Sequence, residues 1–245
     1  MRWPSALLPG ECICCREVLN PAELDLPNHC LCTPCIADLP WLGSHCQQCA
    51  IPLPDTQKNV VCADCQQAPP AFRRCIASFE YQQPIKQMIK RIKVDAYAPQ
   101  LRQLGELLAI TIRAAYGPGQ RPDIIIPLPL HWSRQLRRGF NQSQGIAQIL
   151  VTGLHGSKIN NHSLRRRGYR RPQHLLGQRQ RLQSMQGAFE VGTVKPLEGR
   201  TVALVDDVIT TGATASAAAK ALLAAGVSAV DIWCIARTGW HIDAA

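Results

Sequence analysis

Apolar residues fall in short blocks along the last two thirds of the chain, and the blocks alternate between two spacings. "CIASFEY" (75–81) alternates like a strand, and "IIIPLPL" (124–130) is a continuous apolar run suited to a buried parallel sheet. "RTVALVDDV" (200–208) and "VSAVDIWCIART" (227–238) read as two further strands. Between them lie helical spacings. "PIKQMIKRIKV" (84–94) sets Lys86, Lys90 and Lys93 around a short helix, and "PQLRQLGELLAITIRAAY" predicts an amphipathic helix opened by Pro99 and broken by "GPGQRPD". Another helix is expected from about Gln142 to Leu150, and "ASAAAKALLAAG" predicts one closed by Gly226. "HWSRQLRRGFNQS" (131–143) reads as a polar loop. Strands alternating with helices predict an α/β fold with a doubly wound, mostly parallel sheet.

The first 70 residues follow neither spacing. They hold ten prolines and few large apolar side chains, and ten of the chain's 12 cysteines fall before residue 66. Eight of these form C-x-x-C pairs: Cys12/Cys15, Cys32/Cys35, Cys46/Cys49 and Cys62/Cys65. Two residues between thiolates let one tight turn present both sulfurs to one metal, so four pairs predict two structural Zn2+ sites of four cysteines each. Such closed sites leave no open metal position, and a segment this poor in apolar residues depends on metal to fold. A disulfide framework would need an oxidising compartment, to which nothing in the sequence sends the chain. An iron–sulfur cluster fits repeated paired knuckles less well. Cys14 and Cys30 are spare thiols, His29 or His45 could replace a cysteine, and the pairs could interleave, first with third and second with fourth. "QQAPPAFRRC" reads as a linker, giving two expected domains, 1–70 (double zinc ribbon) and 71–245.

Composition narrows the function. At 245 residues and 46% hydrophobic content the chain can bury a substantial core. No apolar stretch reaches the ~18 residues that a membrane span needs. The opening "MRWPSALLPG" is too short and interrupted for a signal peptide, so the expected location is cytoplasmic, without stable membrane insertion. The formal charge is +10, about +6 with two zinc-bound thiolate clusters, and it is uneven. From Ile124 to Phe189 there is no Asp or Glu against eleven Arg and Lys, seven of them arginines between Arg165 and Arg181. Such a block attracts phosphates, nucleic acid or an acidic partner. The surrounding stretch, residues 152–186, is expected to be a mobile, Arg-rich excursion.

The sharpest motif is "VALVDDVITTGAT". The apolar run is expected to end at Val205 and a helix to begin near Ala213, placing Asp206, Asp207, Thr210, Thr211, Gly212, Ala213 and Thr214 at the carboxyl end of a strand. Backbone N–H groups, three hydroxyls and a helix start suit a phosphate, with Gly212 permitting close approach or a positive φ. It is neither a Walker A loop nor a G-x-G-x-x-G turn. The two acids need a ligand carrying hydroxyls, or a bound Mg2+, a few ångströms from its phosphate, and a ribose 5-phosphate meets that demand.

"ALVDDVITTGAT" resembles the phosphoribosyl pyrophosphate (PRPP) loop of type I phosphoribosyltransferases. Together with the cysteine pairs, "IIIPLPLHWSRQLRRGFNQS" and "PQHLLGQRQRLQSMQGAF", the chain resembles the competence protein F (ComF/ComFC, GntX-like) family over nearly its whole length. The resemblance implies a type I phosphoribosyltransferase fold behind a double zinc ribbon and a role in uptake or utilisation of external DNA. It implies PRPP with Mg2+ as ligand, single-stranded DNA as a partner, and protein partners from the DNA-uptake machinery. Asp206 and Asp207 then match the ribose-binding acids and Thr210–Thr214 the 5′-phosphate turn. The segment Pro127–Arg134, with Pro129 and Arg134, matches the pyrophosphate-contacting stretch, and Lys93 matches a lysine of the preceding hood. Arg134, Arg137 and Arg138 are expected to neutralise pyrophosphate, Arg138 as a catalytic group, with the Arg-rich excursion as a lid. The mobile loop departs from the R-x-x-N pattern, since Ser184 follows Arg181 at that spacing. The acceptor, and whether a ribose is transferred at all, are not specified. An active transferase and a PRPP-sensing regulator stand as alternatives.

Overall fold

The computed structural model describes residues 10–19, 30–57, 60–167, 187–192 and 194–239. In chain order the elements are α1 (Thr33–Ala37), α2 (Ala63–Gln67), β1 (Arg74–Glu80), α3 (Ile85–Ile92), α4 (Pro99–Ala115), β2 (Ile124–Pro127) and α5 (Trp132–Arg138). They continue with α6 (Gln142–Leu154), β3 (Lys158–Ile159), β4 (Leu164–Arg166), β5 (Phe189–Val191), β6 (Thr201–Ile209), α7 (Ala213–Ala224) and β7 (Ala229–Arg237). Five strands form a parallel sheet in the order β1-β7-β6-β2-β3, and β4 pairs antiparallel with β5. The expected α/β class and doubly wound parallel sheet are observed.

Continuous apolar strands are explained by cover on both faces. Along β6, Ala203 and Val205 face one layer with Ile89 of α3, Leu104 and Leu108 of α4, and Ile146 and Leu150 of α6. Val202 and Leu204 face the opposite layer with Ala215, Ala218 and Leu222 of α7. Helix α3 buries Ile85, Met88, Ile89 and Ile92, an i, i+3, i+4, i+7 stripe, and turns its lysines outward.

The connection from β2 runs outward through α6 to β3, whereas the connection from β6 runs through α7 to β7 on the other side. β2 and β6 are therefore neighbours at a topological switch point, where open α/β sheets hold their ligands beyond the strand ends.

The cysteine-rich segment packs directly on this sheet domain. Leu31 and Leu39 join the layer of α3 and α4, and Trp41 stacks on Phe79 of β1 at 4.6 Å between ring centroids. Among the described residues no helix is long and apolar enough to cross a membrane.

Three local expectations change. The polar stretch 131–143 contains α5, capped by His131, which accepts from the Ser133 N–H, and closed by Gly139 at φ 75°. Strand β6 does not end at Val205, because β7 keeps pairing with it through Ile209↔Arg237. Within the excursion, residues 158–159 extend the main sheet and 164–166 form half of the β4–β5 pair, so those parts are held in strands. Residues 168–186, with the rest of the basic block, lie outside the described residues.

Candidate functional site

Strand β2 leaves the sheet before β6 does. Its last register pair is Pro127↔Val205, followed by the Leu128 N–H donating to the Val205 carbonyl at 2.8 Å. Asp206 and Asp207 come next on β6, at the place where its β2-side edge becomes free, and the N-terminus of α6 fills that space. Asn141 caps α6 by accepting the Ser143 N–H and also donates from Nδ2 to the Leu128 carbonyl at 3.1 Å, so one side chain ties the end of β2 to the start of α6.

The next two residues hold the acids. Ser143 donates from Oγ to Asp206 Oδ1 at 3.0 Å, and Gln142 donates from Nε2 to Asp207 Oδ2 at 3.2 Å. Lys93, at the end of α3, places Nζ 2.9 Å from the same Asp207 oxygen. The Asp207 and Val208 N–H groups donate to Asp206 Oδ1 and Asp207 Oδ1. Among the described residues no donor reaches Asp206 Oδ2, leaving that oxygen for a ligand.

Burial and the neighbouring Asp207 charge push the Asp206 carboxyl up to about 7, against the pull of the Asp207 N–H, the Ser143 hydroxyl and Lys93. Asp206 thus sits at the edge of ionisation near neutral pH. A divalent cation would complete the charge balance that Lys93 begins, whereas a diol would donate hydrogen bonds to the carboxylate oxygens.

The turn beyond β6 is open. Thr210 and Thr211 are exposed, and Gly212, Ala213 and Thr214 are half-buried at the start of α7. Gly212 stands at φ 75°, in the left-handed region, as the cap of α7. The Thr211 Oγ1 accepts the Ala213 N–H at 3.3 Å, folding the turn back over the helix start. On the neighbouring strand, Pro129 follows β2 half-buried, and Arg134 and Arg137 are exposed on α5. Arg138 donates from Nη1 to Gln142 Oε1 at 3.2 Å, so it braces the glutamine that holds Asp207. Lys93 therefore meets Asp207 directly, Arg138 reaches it through Gln142, and Thr210–Thr214 follow the acids along the chain, while Pro129 and Arg134 stand on the segment that follows β2.

Gln142, Ser143 and Arg237 carry site contacts that the sequence reading did not assign. For the first two the signal was "NQS" at a helix start, which is more polar than capping alone requires. For Arg237 it was a charge ending the apolar run of β7.

The cysteines gather as two groups, Cys12, Cys15, Cys32 and Cys35, and Cys46, Cys49, Cys62 and Cys65, with all ligand atoms of each group within 4.8 Å of one another. This is the sequential pairing; interleaving is excluded. Cys14, Cys30 and His45 lie outside both groups, and His29 lies outside the described residues. Backbone N–H groups point at the sulfurs, as in Cys32 N–H to Cys12 Sγ at 3.4 Å and Cys62 N–H to Cys46 Sγ at 3.3 Å. Burial opposes ionisation of Cys12 and Cys46, but these donors prevail and draw the thiols down to about 6 and about 7. Burial and the adjacent Cys46 thiol hold Cys49 up at about 11. Four sulfurs this close ionise together only around a cation, and a four-sulfur set of this size fits Zn2+.

No family model matches the chain. It aligns with DNA utilization protein YhgH of Escherichia coli strain K12 at 33% identity over 233 residues, 94% of this chain and 98% of that one. Competence protein F of Haemophilus influenzae is 32% identical over 237 residues, 92% of this chain and 96% of that one. The chain belongs to the competence protein F family. Competence protein ComFC of Bacillus subtilis is a more distant member, 25% identical over 213 residues, covering 83% of this chain and 82% of its own. Among solved structures, a Trypanosoma cruzi hypoxanthine phosphoribosyl transferase matches at a TM-score of 0.37 and 15% identity, over 55% of this chain and 63% of that one. The alignments with these relatives of this competence protein F family member span both the cysteine-rich segment and the sheet that carries Asp206 and Asp207.

Proposed function

We propose that this protein binds PRPP together with Mg2+ and takes part in uptake or utilisation of external DNA in the cytoplasm, contacting single-stranded DNA. The observation that carries the reading is the Asp206–Asp207 pair at the freed edge of β6, one turn from the open Thr210–Thr214 cradle. The acids accept from the ribose hydroxyls, the turn takes the 5′-phosphate, and Mg2+ accompanies the pyrophosphate beside Arg134 and Arg137. The DNA part rests on the relatives, one a DNA utilization protein and one a competence protein. It is supported by α5, where Trp132 (59% exposed) and Leu136 stand in solvent next to the two arginines, a base-stacking surface beside phosphate-binding charge. Residues 1–70 act as a double zinc ribbon and 71–245 as the phosphoribosyltransferase-like domain. Protein partners from the DNA-uptake machinery complete the assignment.

Titration with PRPP and Mg2+ tests the first part. The pair Asp206→Asn and Asp207→Asn should weaken binding at least about 100-fold, two charge-assisted contacts being lost; unchanged affinity would end the ribose assignment. Binding of single strands should fall steeply with salt, with a log–log slope of about −0.7 per phosphate neutralised, and salt-independent binding would remove the DNA part. Release of pyrophosphate with one particular acceptor would instead make the protein an active phosphoribosyltransferase. Tight PRPP binding without turnover, coupled to affinity for a protein, would make it a sensor.

A further inference from the structure

Arg237 is the last residue of β7, and its residue is 3% exposed. Its guanidinium lies where the second cysteine group meets the phosphate turn. Nε donates to the carbonyl of Cys49 at 2.8 Å. Nη1 donates to the carbonyl of Thr210, and lies within sharing distance of the carbonyls of Ile209 at 3.2 Å and Thr238 at 2.9 Å and of Thr238 Oγ1 at 3.3 Å. The donors of a planar, fixed fork are thus divided between a metal knuckle and the first two residues of the turn. Ile209 and Thr210 are where β6 stops and the cradle begins, so the position of their carbonyls sets the path of Thr211 and Gly212.

The knuckle itself is well anchored. Ala50, which follows Cys49, is fully buried among the residues of the α7 layer, and the Gln48 carbonyl accepts the Cys75 N–H at 2.8 Å. A second contact closes the same corner, because Phe72 packs under Gly212. We infer that the Cys46–Cys49–Cys62–Cys65 group positions the phosphate turn through Arg237, so that its metal occupancy is read out at the ligand site.

The physical argument is one of reach and satisfaction. The Cys49 carbonyl is held at a fixed place only while the knuckle is closed around its metal. If the knuckle opens, Arg237 loses one end of its bridge and its charge must find another partner in a buried place. Its remaining acceptors are the Ile209 and Thr210 carbonyls and Thr238, and Thr238 itself donates from its N–H and hydroxyl to those same carbonyls, so the turn moves with it. Arg237 does not touch the ligand in this arrangement and is a positioning residue.

The inference rests on the PRPP reading for its functional consequence, and two readouts separate them. Zinc-loaded full-length protein is compared with Cys65→Ser, Arg237→Lys and the double variant, by PRPP–Mg2+ affinity and by amide resonances of Thr211, Gly212 and Ala213. Arg237→Lys keeps both metals and the charge but cannot bridge. Each single change should shift these amides in the same direction and weaken PRPP binding about 10–100-fold, the range for lost supporting contacts, and the double variant should be no worse than either. Cys35→Ser, which empties the other cluster, should leave the three amides in place. Wild-type affinity and unshifted amides in Arg237→Lys, or losses that multiply in the double variant, would overturn the inference. If the wild type binds no PRPP the functional reading fails alone, because the amides still decide the coupling; if Cys65→Ser does not fold, Arg237→Lys decides it.

Discussion

The two cysteine clusters are built alike and anchored differently. Each begins with a C-x-x-C turn followed by a non-glycine residue in the left-handed region, Arg16 at φ 63° and Ala50 at φ 57°. In each the N–H of that residue donates to the carbonyl of the first cysteine, at 2.8 Å to Cys12 and 2.9 Å to Cys46. Each then takes its third cysteine, Cys32 or Cys62, as the cap of a five-residue helix that carries the fourth. Behind this common frame the surroundings diverge. The first cluster leaves Cys15 exposed and Cys32 and Cys35 half-buried, and leans on α3 and α4, with Cys30 donating its N–H to Gln103 Oε1 at 3.2 Å. The second buries Cys46, Cys62 and Cys65 and is joined to the sheet end through Arg237 and Gln48. Metal chemistry dictates the frame, whereas the consequence of metal loss is decided by what packs behind it.

The largest effect expected from that difference is on stability. Cys46 accepts two N–H groups and is fully buried, while the Cys15 side of the first cluster is open to water. Cys46→Ala should cost several kcal/mol, enough to unfold the ribbon, and should lower Tm well below that of Cys15→Ala, because metal binding here is folding free energy. Release of zinc to a chromophoric chelator should be biphasic, the first cluster emptying first. Equal Tm losses and a single phase would show the clusters to be equivalent.

This asymmetry explains what could be read in the sequence. Cysteine spacing and the apolar strands are short-range patterns, and both predicted their structures. Features set by distant contacts were hidden. Nothing local says that β6 runs past Asp206 to Ile209, since β7 supplies the pairing. Helix α5 was hidden because its N-cap is His131 rather than one of the usual Ser, Thr, Asp or Asn, although Gly139 closes it with an ordinary C-terminal signal. Ser143 and Gln142 meet acids more than 60 residues away, and Arg237 meets Cys49 at a separation of 188. A one-residue view of "RRGFNQS" offers no partner for any of them.

The first cluster should influence the ligand site by another route, through charge. It shares a packed layer with α3, and α3 ends at Lys93, the counter-ion of Asp207 and a group that lowers Asp206. Asp206 faces Asp207, Ser143 and Lys93, and its carboxyl at about 7 lies above the usual carboxylate range. Stability from this raised group is fully present below the ordinary carboxylate pKa and is lost as pH rises through about 7, while ligand hydroxyls need the ionised form. Lys93→Met should move Asp206 higher still, shifting the rise of PRPP affinity to higher pH; a rise of about one pKa unit would weaken binding at pH 7 about 5-fold, as the ionised fraction falls from about a half to about a tenth. Affinities between pH 6 and 9 check this, and an unmoved profile would show that Lys93 does not set the ionisation of Asp206.

The smallest expected effect tests the shared frame itself. A left-handed conformation costs a non-glycine residue about 1–2 kcal/mol, and glycine relieves that at an entropic cost of about 0.5–1 kcal/mol. Arg16 is exposed, so Arg16→Gly should stabilise the zinc-loaded protein by up to about 1 kcal/mol. Ala50 has the same backbone strain, but its methyl is fully buried against the α7 layer. Removing that methyl forfeits about 0.8 kcal/mol of apolar burial and leaves a small void, so Ala50→Gly should be neutral or mildly destabilising. Urea midpoints at fixed zinc give the comparison. If both glycines stabilise equally, the second knuckle is no better packed than the first, and the anchoring that distinguishes the clusters lies in Arg237 and Gln48 alone.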